Sequence, residues 1–319
     1  MLTLRQHIVS LIAVFLALGL GVLAGTTFIS PATIKALHTS LDELNKQETS
    51  LETQINGLTQ QVGSFSAFAG AARDRLVAGA LAGRPTVLVS FDTTPSTDVS
   101  GVATTLLQAG ARLEGSFVLL SSKMALPDDG TRAQVAAALG VTSTGAEAVA
   151  AALVQHLADA LDGKSPGAFQ RLLDAGLAHA NTVPSPAAPA SVSTPGAAVV
   201  LLAPVEPTSG SKPSPDLGRT LILPLARDLS VGSTLLAIGE DGTSPLPVLS
   251  EVRGDDTLRV VTVDGVDGPI GQTDVVLGLQ AAAGGVWGDY GSGPGASAVL
   301  PSPAPSPGTA SSAGGGTGH

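Results

Sequence analysis

The first hydrophobic segment of the chain runs from Ile8 to Ile29 without a charged residue. A helix over this range is roughly 33 Å long at about 1.5 Å per residue, which is enough to cross a hydrocarbon core of about 30 Å. A secretory signal has a shorter apolar segment, about 7–15 residues, and a small-residue cleavage site. Val22-Leu23-Ala24 fits such a site, so cleavage is the alternative. Because of the length, we predict that residues 8–29 form a retained transmembrane helix in contact with membrane lipid.

Two glycines in this segment, Gly21 and Gly25, have the spacing of a GxxxG motif. That motif lets two membrane helices pack closely against each other. The alternative is that glycine is simply tolerated in a helix surrounded by lipid. We keep both interpretations of this pair.

The next segment carries apolar residues at alternating spacings of four and three, which is a heptad pattern. This seam consists of Leu37, Leu41, Leu44, Glu48, Leu51, Ile55, Leu58, Val62 and Phe65. Leucine at most d positions with β-branched residues at a positions favours a parallel two-stranded coiled coil. We therefore predict a coiled-coil stalk over residues 33–80, paired with a second copy or with a different chain. The alternative is a single amphipathic helix that packs against its own globular domain.

Beyond the stalk, short apolar runs alternate with helical patterns over residues 84–290. The runs cover residues 86–91, 197–202, 234–238 and 258–263, with a weaker one at 115–120, and the helical patterns cover 98–109, 131–139, 146–161 and 272–283. Continuously apolar runs are typical of strands that are buried on both faces of a parallel sheet. Their alternation with helices predicts a doubly wound, mostly parallel α/β domain.

Proline and serine dominate three further segments. Residues 181–196 and 204–216 are predicted loops, and residues 291–319 are rich in Pro, Ser and Gly and carry no charge. A segment of this composition cannot bury enough apolar surface to fold, so we predict a disordered tail over 291–319.

The charge of the chain is concentrated in the α/β domain. The net charge is −10, and residues 1–83 contain equal numbers of acidic and basic side chains. An acidic domain repels phosphate backbones, which excludes nucleic acid as its partner. We see no second apolar run approaching 18 residues, so we place residues 1–7 in the cytoplasm and everything after Ile29 outside the cell membrane. The chain has no cysteine, so disulfides do not stabilise this domain.

Motifs for catalysis or cofactor binding do not fit the chain. Gly163-Lys164-Ser165 resembles the end of a phosphate-binding loop, but Ala158 stands where the first glycine belongs. Gly265, Gly268 and Gly271 have the spacing GxxGxxG rather than the dinucleotide-binding GxGxxG. The chain has no cysteine, so a thiol nucleophile is not available. We expect no enzyme activity and no cofactor.

Four carboxylates are the weak candidates for a metal site. Glu240 and Asp241 follow one predicted strand, and Asp264 and Asp267 follow another. Ligands of open α/β sheets bind at the carboxyl ends of the strands, and converging carboxylates suit Mg²⁺ or Ca²⁺. The alternative is that these residues are ordinary helix caps and turn formers.

Two stretches of the chain resemble the actinobacterial MctB copper transporter family. They are "LRQHIVSLIAVFLALGLGVLAG", with the heptads behind it, and "LLAIGEDGTSPLPVLSEVRGDDTLRVVTVDGVDGPIGQTDVVLGLQAAAGG". The resemblance implies a role in copper export and resistance that keeps intracellular copper low. A related SteB-like branch implies the alternative, a membrane-anchored coiled-coil scaffold or regulator of cell separation and cell-wall hydrolase activity.

The residues of the chain fit the architecture of that family better than a copper-binding role. Copper(I) sites use Cys, Met or clustered His. Met124 is the only methionine after the first residue, and His156 and His179 lie far apart along the chain. The resemblance assigns no site residues, so both functions remain open.

Overall fold

The computed structural model describes residues 3–27, 31–165, 167–181, 194–205, 217–244 and 248–301. Residues 182–193 and 206–216, which form most of the two predicted loops, and residues 302–319 of the predicted tail lie outside this set. The chain divides into two compact units, residues 1–65 and residues 66–319. Each unit is described by itself below.

The first unit is built from helices. Helix α1 spans Thr3–Thr27, and helix α2 begins at Pro31 and ends at Val77, so that its residues up to Phe65 belong to this unit. Within α1, Gln6–Gly25 has a mean hydropathy of 2.6 and is, in the described part of the chain, the one helix with the length and composition of a membrane span. The predicted apolar helix and the long helix after it are both present.

The second unit contains the remaining elements. They are β1 (Pro85–Phe91), α3 (Ser96–Gln108), β2 (Arg112–Leu119), α4 (Ser121–Met124), α5 (Asp129–Leu139), α6 (Ala146–Leu161), α7 (Ala168–Asp174), β3 (Ala178–Ala180), β4 (Ala198–Leu202), a π-helical turn (Gly218–Ile222), α8 (Leu223–Val231), β5 (Leu236–Glu240), α9 (Leu249–Arg253), β6 (Val261–Asp264), α10 (Pro269–Ala283) and β7 (Asp289–Tyr290). Each of the predicted strands and helices overlaps one of these elements.

The strands form one mixed, mostly parallel sheet. Its order is β3-β2-β1-β4-β5-β6-β7, and the short β3 pairs antiparallel with β2 while the other neighbours pair parallel. Strands β1, β4, β5 and β6 therefore point the same way, and the residues that follow them gather at one edge of the sheet.

Both faces of the sheet are covered. Along β1, Val87 and Val89 pack in one hydrophobic cluster and Leu88 in another, because successive side chains point to opposite faces. The first cluster contains residues of α5, α6, α7, α8 and α9, and the second contains residues of α3, α10 and the end of α2. Burial on both faces accounts for the continuously apolar runs in the sequence.

Helix boundaries follow ordinary capping chemistry. The side chain of Asp128 accepts a hydrogen bond from Thr131 N (2.8 Å) at the start of α5, which lowers the pKa of Asp128. The helix ends at Gly140 in the left-handed conformation (φ 70°), where glycine carries no steric penalty.

Residues 291–301, which the sequence assigns to the tail, contact the sheet. Gly291 N donates to Ala298 O (3.0 Å), and Ser297 N donates to Asp289 O (2.8 Å). Buried side chains of the domain also bind this stretch through its backbone, as described below. A serine- and glycine-rich segment that buries little apolar surface is thus held by polar contacts with the domain.

Candidate functional site

Glu240 and Asp241 are adjacent in sequence, but their side chains contact different parts of the domain. Glu240 is buried, and its Oε1 and Oε2 accept hydrogen bonds from Val248 N (2.6 Å) and Leu249 N (3.4 Å) at the start of α9. Burial raises the pKa of Glu240 more than these hydrogen bonds lower it. Glu240 therefore anchors α9.

Asp264 holds the C-terminal segment rather than an open site. Its Oδ2 lies 3.1 Å from Nη1 of Arg253, and its two oxygens accept hydrogen bonds from Ser292 N (2.8 Å) and Gly293 N (3.0 Å). Gly291, with φ 125°, passes so close to this carboxylate that a Cβ would collide with it. Like Glu240, Asp264 is engaged by backbone amides.

Asp241 and Asp267 do lie near each other. Oδ1 of Asp241 accepts hydrogen bonds from N (2.6 Å) and Oγ1 (2.7 Å) of Thr243, forming a tight turn. Oδ1 of Asp267 accepts a hydrogen bond from Gly242 N (3.0 Å), so the two loops after β5 and β6 are joined. This part of the predicted arrangement comes together at the carboxyl edge of the sheet.

A third aspartate, Asp98 in the first turn of α3, joins these two. Asp98 is only 3% exposed to solvent. Its Oδ1 accepts a hydrogen bond from Oγ1 of Thr97 (3.1 Å), and its Oδ2 is buried without a hydrogen-bond partner among the described residues. Its carboxyl group lies next to that of Asp241 and within electrostatic range of Asp267. Burial, and then these two neighbours, raise the pKa of Asp98 to about 6. We call Asp98, Asp241 and Asp267 the acidic edge.

Asp98 is not among the residues that the sequence predicts for a site, because its position indicates only the start of a helix. The signal was nevertheless available, since α3 follows β1 as the loop with Asp241 follows β5. In the described ranges, no lysine or arginine forms an ion pair with the three carboxylates of the acidic edge. No three His, Cys, Asp or Glu side chains of those ranges are arranged to hold one metal ion.

The histidines and the internal methionine lie apart from the acidic edge. Nε2 of His156 lies 3.2 Å from Ala168 O, on the helices of the opposite face, and His179 is exposed on the edge strand β3. Met124 is buried in the hydrophobic cluster of that opposite face. These positions offer no grouped soft ligands.

The apolar seam on α2 is the second candidate for a functional surface. All its predicted members are exposed in the single chain, and the apolar ones range from 49% for Leu41 to 68% for Val62. Gly21 and Gly25 on α1 have no atom within 4 Å of where a Cβ would stand. Both helices thus present free faces within the described chain.

Comparison with known proteins gives one family and a set of relatives. Residues 1–301 match the family described as "Copper transport outer membrane protein, MctB". Proteins described as "Copper transporter MctB" from Mycobacterium bovis and from two strains of Mycobacterium tuberculosis are 26% identical over 323 residues, covering 95% of this chain and 100% of theirs. The match includes both helices and the α/β unit.

Proposed function

The chain belongs to the MctB family of copper transport proteins, and we propose on this premise that it serves copper export and resistance by keeping intracellular copper low. The observation that carries the proposal is the extent of the match, residues 1–301, which includes the apolar helix, the long helix and the α/β unit together. A match of this extent goes beyond a shared sheet domain, which alone would say little about function. The family is one of transport proteins rather than of enzymes.

We place the protein in the cell membrane as a single-pass protein. Residues 8–29 span the bilayer, residues 1–7 face the cytoplasm, and the α/β unit lies outside. The apolar side chains along α1 support this placement, because residues such as Phe15 (67% exposed) have no cover within the described chain. One helix cannot enclose a pore, so a transport role requires several copies or a partner.

The coiled coil supplies that association in our proposal. Two copies of α2 pair in parallel through the seam from Leu37 to Phe65, and Gly21 and Gly25 let the two membrane helices approach each other. Support comes from the row of exposed apolar side chains at alternating spacings of four and three. A different coiled-coil chain is the competing partner.

Pairing of the stalks is testable because the chain has no native cysteine. In a parallel homodimer, the d positions of the two copies face each other, so Leu44→Cys should form a disulfide between copies on mild oxidation of native membranes. Lys46→Cys, at an outward f position of the same turn, is the matched control and should stay monomeric. Equal crosslinking of both variants, or of neither, would exclude the parallel homodimer.

A second function, a scaffold or regulator of cell separation and cell-wall hydrolase activity, is favoured by the same seam. A scaffold needs the coil but no metal ligand, and soft copper ligands are not grouped in the described residues. In this version the stalk holds a partner protein outside the membrane.

One experiment separates the two functions. A deletion strain is grown with added copper, and its copper content and its cell-separation defects are scored in the same cells. Copper accumulation without chaining supports transport, and chaining without copper accumulation supports the scaffold. Complementation with Leu51→Asp, which places a charge in the seam, tests whether pairing matters, and Ser50→Asp outside the seam is the control. Normal copper content and normal separation in the deletion strain would contradict both functions.

A further inference from the structure

The acidic edge contains an uncompensated buried carboxylate. Asp98 is only 3% exposed to solvent, and its Oδ2 accepts no hydrogen bond within the described chain. A buried carboxylate oxygen without a hydrogen-bond partner is unfavourable unless a proton or a cation accompanies it. The carboxyl group of Asp98 lies next to that of Asp241, which can only accept hydrogen bonds when it is ionised.

We propose that Asp98 and Asp241 bind one hard divalent cation of the Mg²⁺ class between their carboxyl groups, with Asp267 contacting it through water. Proteins usually bind Mg²⁺ through one or two carboxylates, and the ion keeps several of its own waters. The proposal therefore agrees with the finding that no three ligating side chains of the described residues converge on one point. It does not depend on copper transport.

The ligand chemistry selects a hard ion over copper(I). The three side chains of the acidic edge offer oxygen atoms only, and Thr97 and Thr243 beside them add hydroxyl groups. Oxygen donors favour Mg²⁺, Ca²⁺ and Mn²⁺, whereas copper(I) prefers thiolate, thioether or imidazole. No cysteine, methionine or histidine is among these residues.

The surrounding loops already fix the two outer carboxylates. The turn at Thr243 orients Asp241 through Oδ1, and Gly242 N orients Asp267 in the same way. Hydrogen bonds that hold a ligating carboxylate reduce the ordering that binding requires. The site thus joins the loops after β5 and β6 to the start of α3.

A proton is the competing occupant, because a carboxylate must be deprotonated before it can bind a metal ion.

The test is calorimetric titration of the full chain in detergent, freed of metal with a chelator, using MgCl₂ at constant ionic strength. We expect one saturable site at pH 7. Asp98→Asn and Asp241→Asn should abolish it, and Asp267→Asn should weaken it by about 10–100-fold, as loss of an outer-shell contact does. Asp274→Asn replaces another buried carboxyl group, one on α10 that does not belong to the acidic edge, and should leave binding unchanged.

Two results would overturn the proposal. They are the absence of saturable Mg²⁺ binding by a folded wild-type chain, and binding by Asp98→Asn as tight as by the wild type. Far-UV circular dichroism and a cooperative melt establish folding of each variant. If Asp98→Asn does not fold, Asp241→Asn in the more exposed turn decides the question by the same criteria. Copper content of cells plays no part in these readouts, so failure here leaves the transport proposal standing.

Discussion

Arg253 and Asp264 form an ion pair that is almost entirely shielded from solvent, with Nη1 and Oδ2 3.1 Å apart and side-chain exposures of 4% and 13%. The guanidinium also donates to Thr262 Oγ1 (2.7 Å), Tyr290 O (2.8 Å) and Pro294 O (3.0 Å). One side chain of α9 thereby joins β6, β7 and the segment after β7.

We predict that Arg253→Gln destabilises the α/β unit by about 3–5 kcal/mol, because it leaves the buried Asp264 without its counter-charge. The measurement is denaturant unfolding of the full chain in detergent. Residues 291–301 should also become accessible to protease, since three backbone groups of this stretch bind Arg253 or Asp264. Arg227→Gln removes the more exposed pair with Asp255 and should destabilise the protein far less. Equal losses in the two variants would contradict the prediction.

A second buried carboxylate predicts a dependence of stability on pH. Asp274 on α10 is 0% exposed, and neither of its oxygens has a hydrogen-bond partner in the described ranges. Burial, and then the charge of Asp264, raise the pKa of Asp274 to about 8. The unfolded chain releases this proton near pH 4, whereas the folded chain keeps it up to about pH 8.

The sign follows from the protons bound in each state. Between about pH 4 and pH 8 the folded state holds the extra proton, so raising the pH favours unfolding by up to about 1.4 kcal/mol per unit. Asp274→Asn cannot ionise, so its melting temperature should exceed that of the wild type by a margin that grows from pH 5 to pH 8. The pKa of Asp128 is lowered below 3.8 instead, so Asp128→Asn should melt below the wild type by a margin that stays constant from pH 5 to pH 8. A constant margin for Asp274→Asn would contradict the interpretation.

The strands that could be predicted from the sequence are those that are buried on both faces, because such strands appear as long apolar runs. Burial of both faces makes β4 apolar throughout and β1 apolar except for Thr86 and Ser90, and the overlap with the predicted runs is nearly complete. Strands β3 and β7 contain three and two residues, which is too short for any periodic pattern to register. Their pairing is decided by neighbouring strands rather than by their own residues.

The acidic candidates show the same limit at the level of single residues. Glu240 and Asp241 are neighbours in sequence, but Glu240, the last residue of β5, binds the start of α9, whereas Asp241, in the turn after β5, joins the acidic edge. Asp98 was passed over because its burial depends on the packing of α3 against the sheet. Side-chain partners of this kind are set by tertiary contacts that one sequence does not display.

The scarcity of soft ligands leads to a prediction on copper(I). Met124 is buried, and His156 and His179 are separately placed, so we expect the full chain in detergent to bind copper(I) no more tightly than an unrelated acidic protein. Competition with a chromogenic chelator measures this. Stoichiometric, sub-micromolar binding would contradict the prediction, and loss of that binding in His156→Ala or His179→Ala would identify the ligand.

Retention of the apolar helix is open to direct measurement. The range 8–29 is longer than a secretory apolar segment, so we expect mass spectrometry of the membrane-extracted protein to recover peptides that contain the original N-terminus. A mature chain that begins near Gly25 would show instead that the segment is a signal peptide. In that case the membrane placement proposed above would be wrong.

The single polar residue of the seam, Glu48, offers the sharpest test of the coiled coil. In a parallel homodimer it occupies an a position and faces its own copy, so two carboxylates meet among apolar neighbours such as Leu44 and Leu51. A polar residue at an a position lowers stability while restricting which partners are accepted. We predict that Glu48→Leu raises the melting temperature of a peptide covering residues 33–70. The same substitution at the outward c position, Glu43→Leu, adds equal hydrophobicity off the seam and should have little effect. Sedimentation equilibrium would show whether the wild-type and the Glu48→Leu peptides are dimers. If Glu48→Leu does not change the melting temperature, position 48 lies outside a homodimer seam, and the stalk pairs with a different chain.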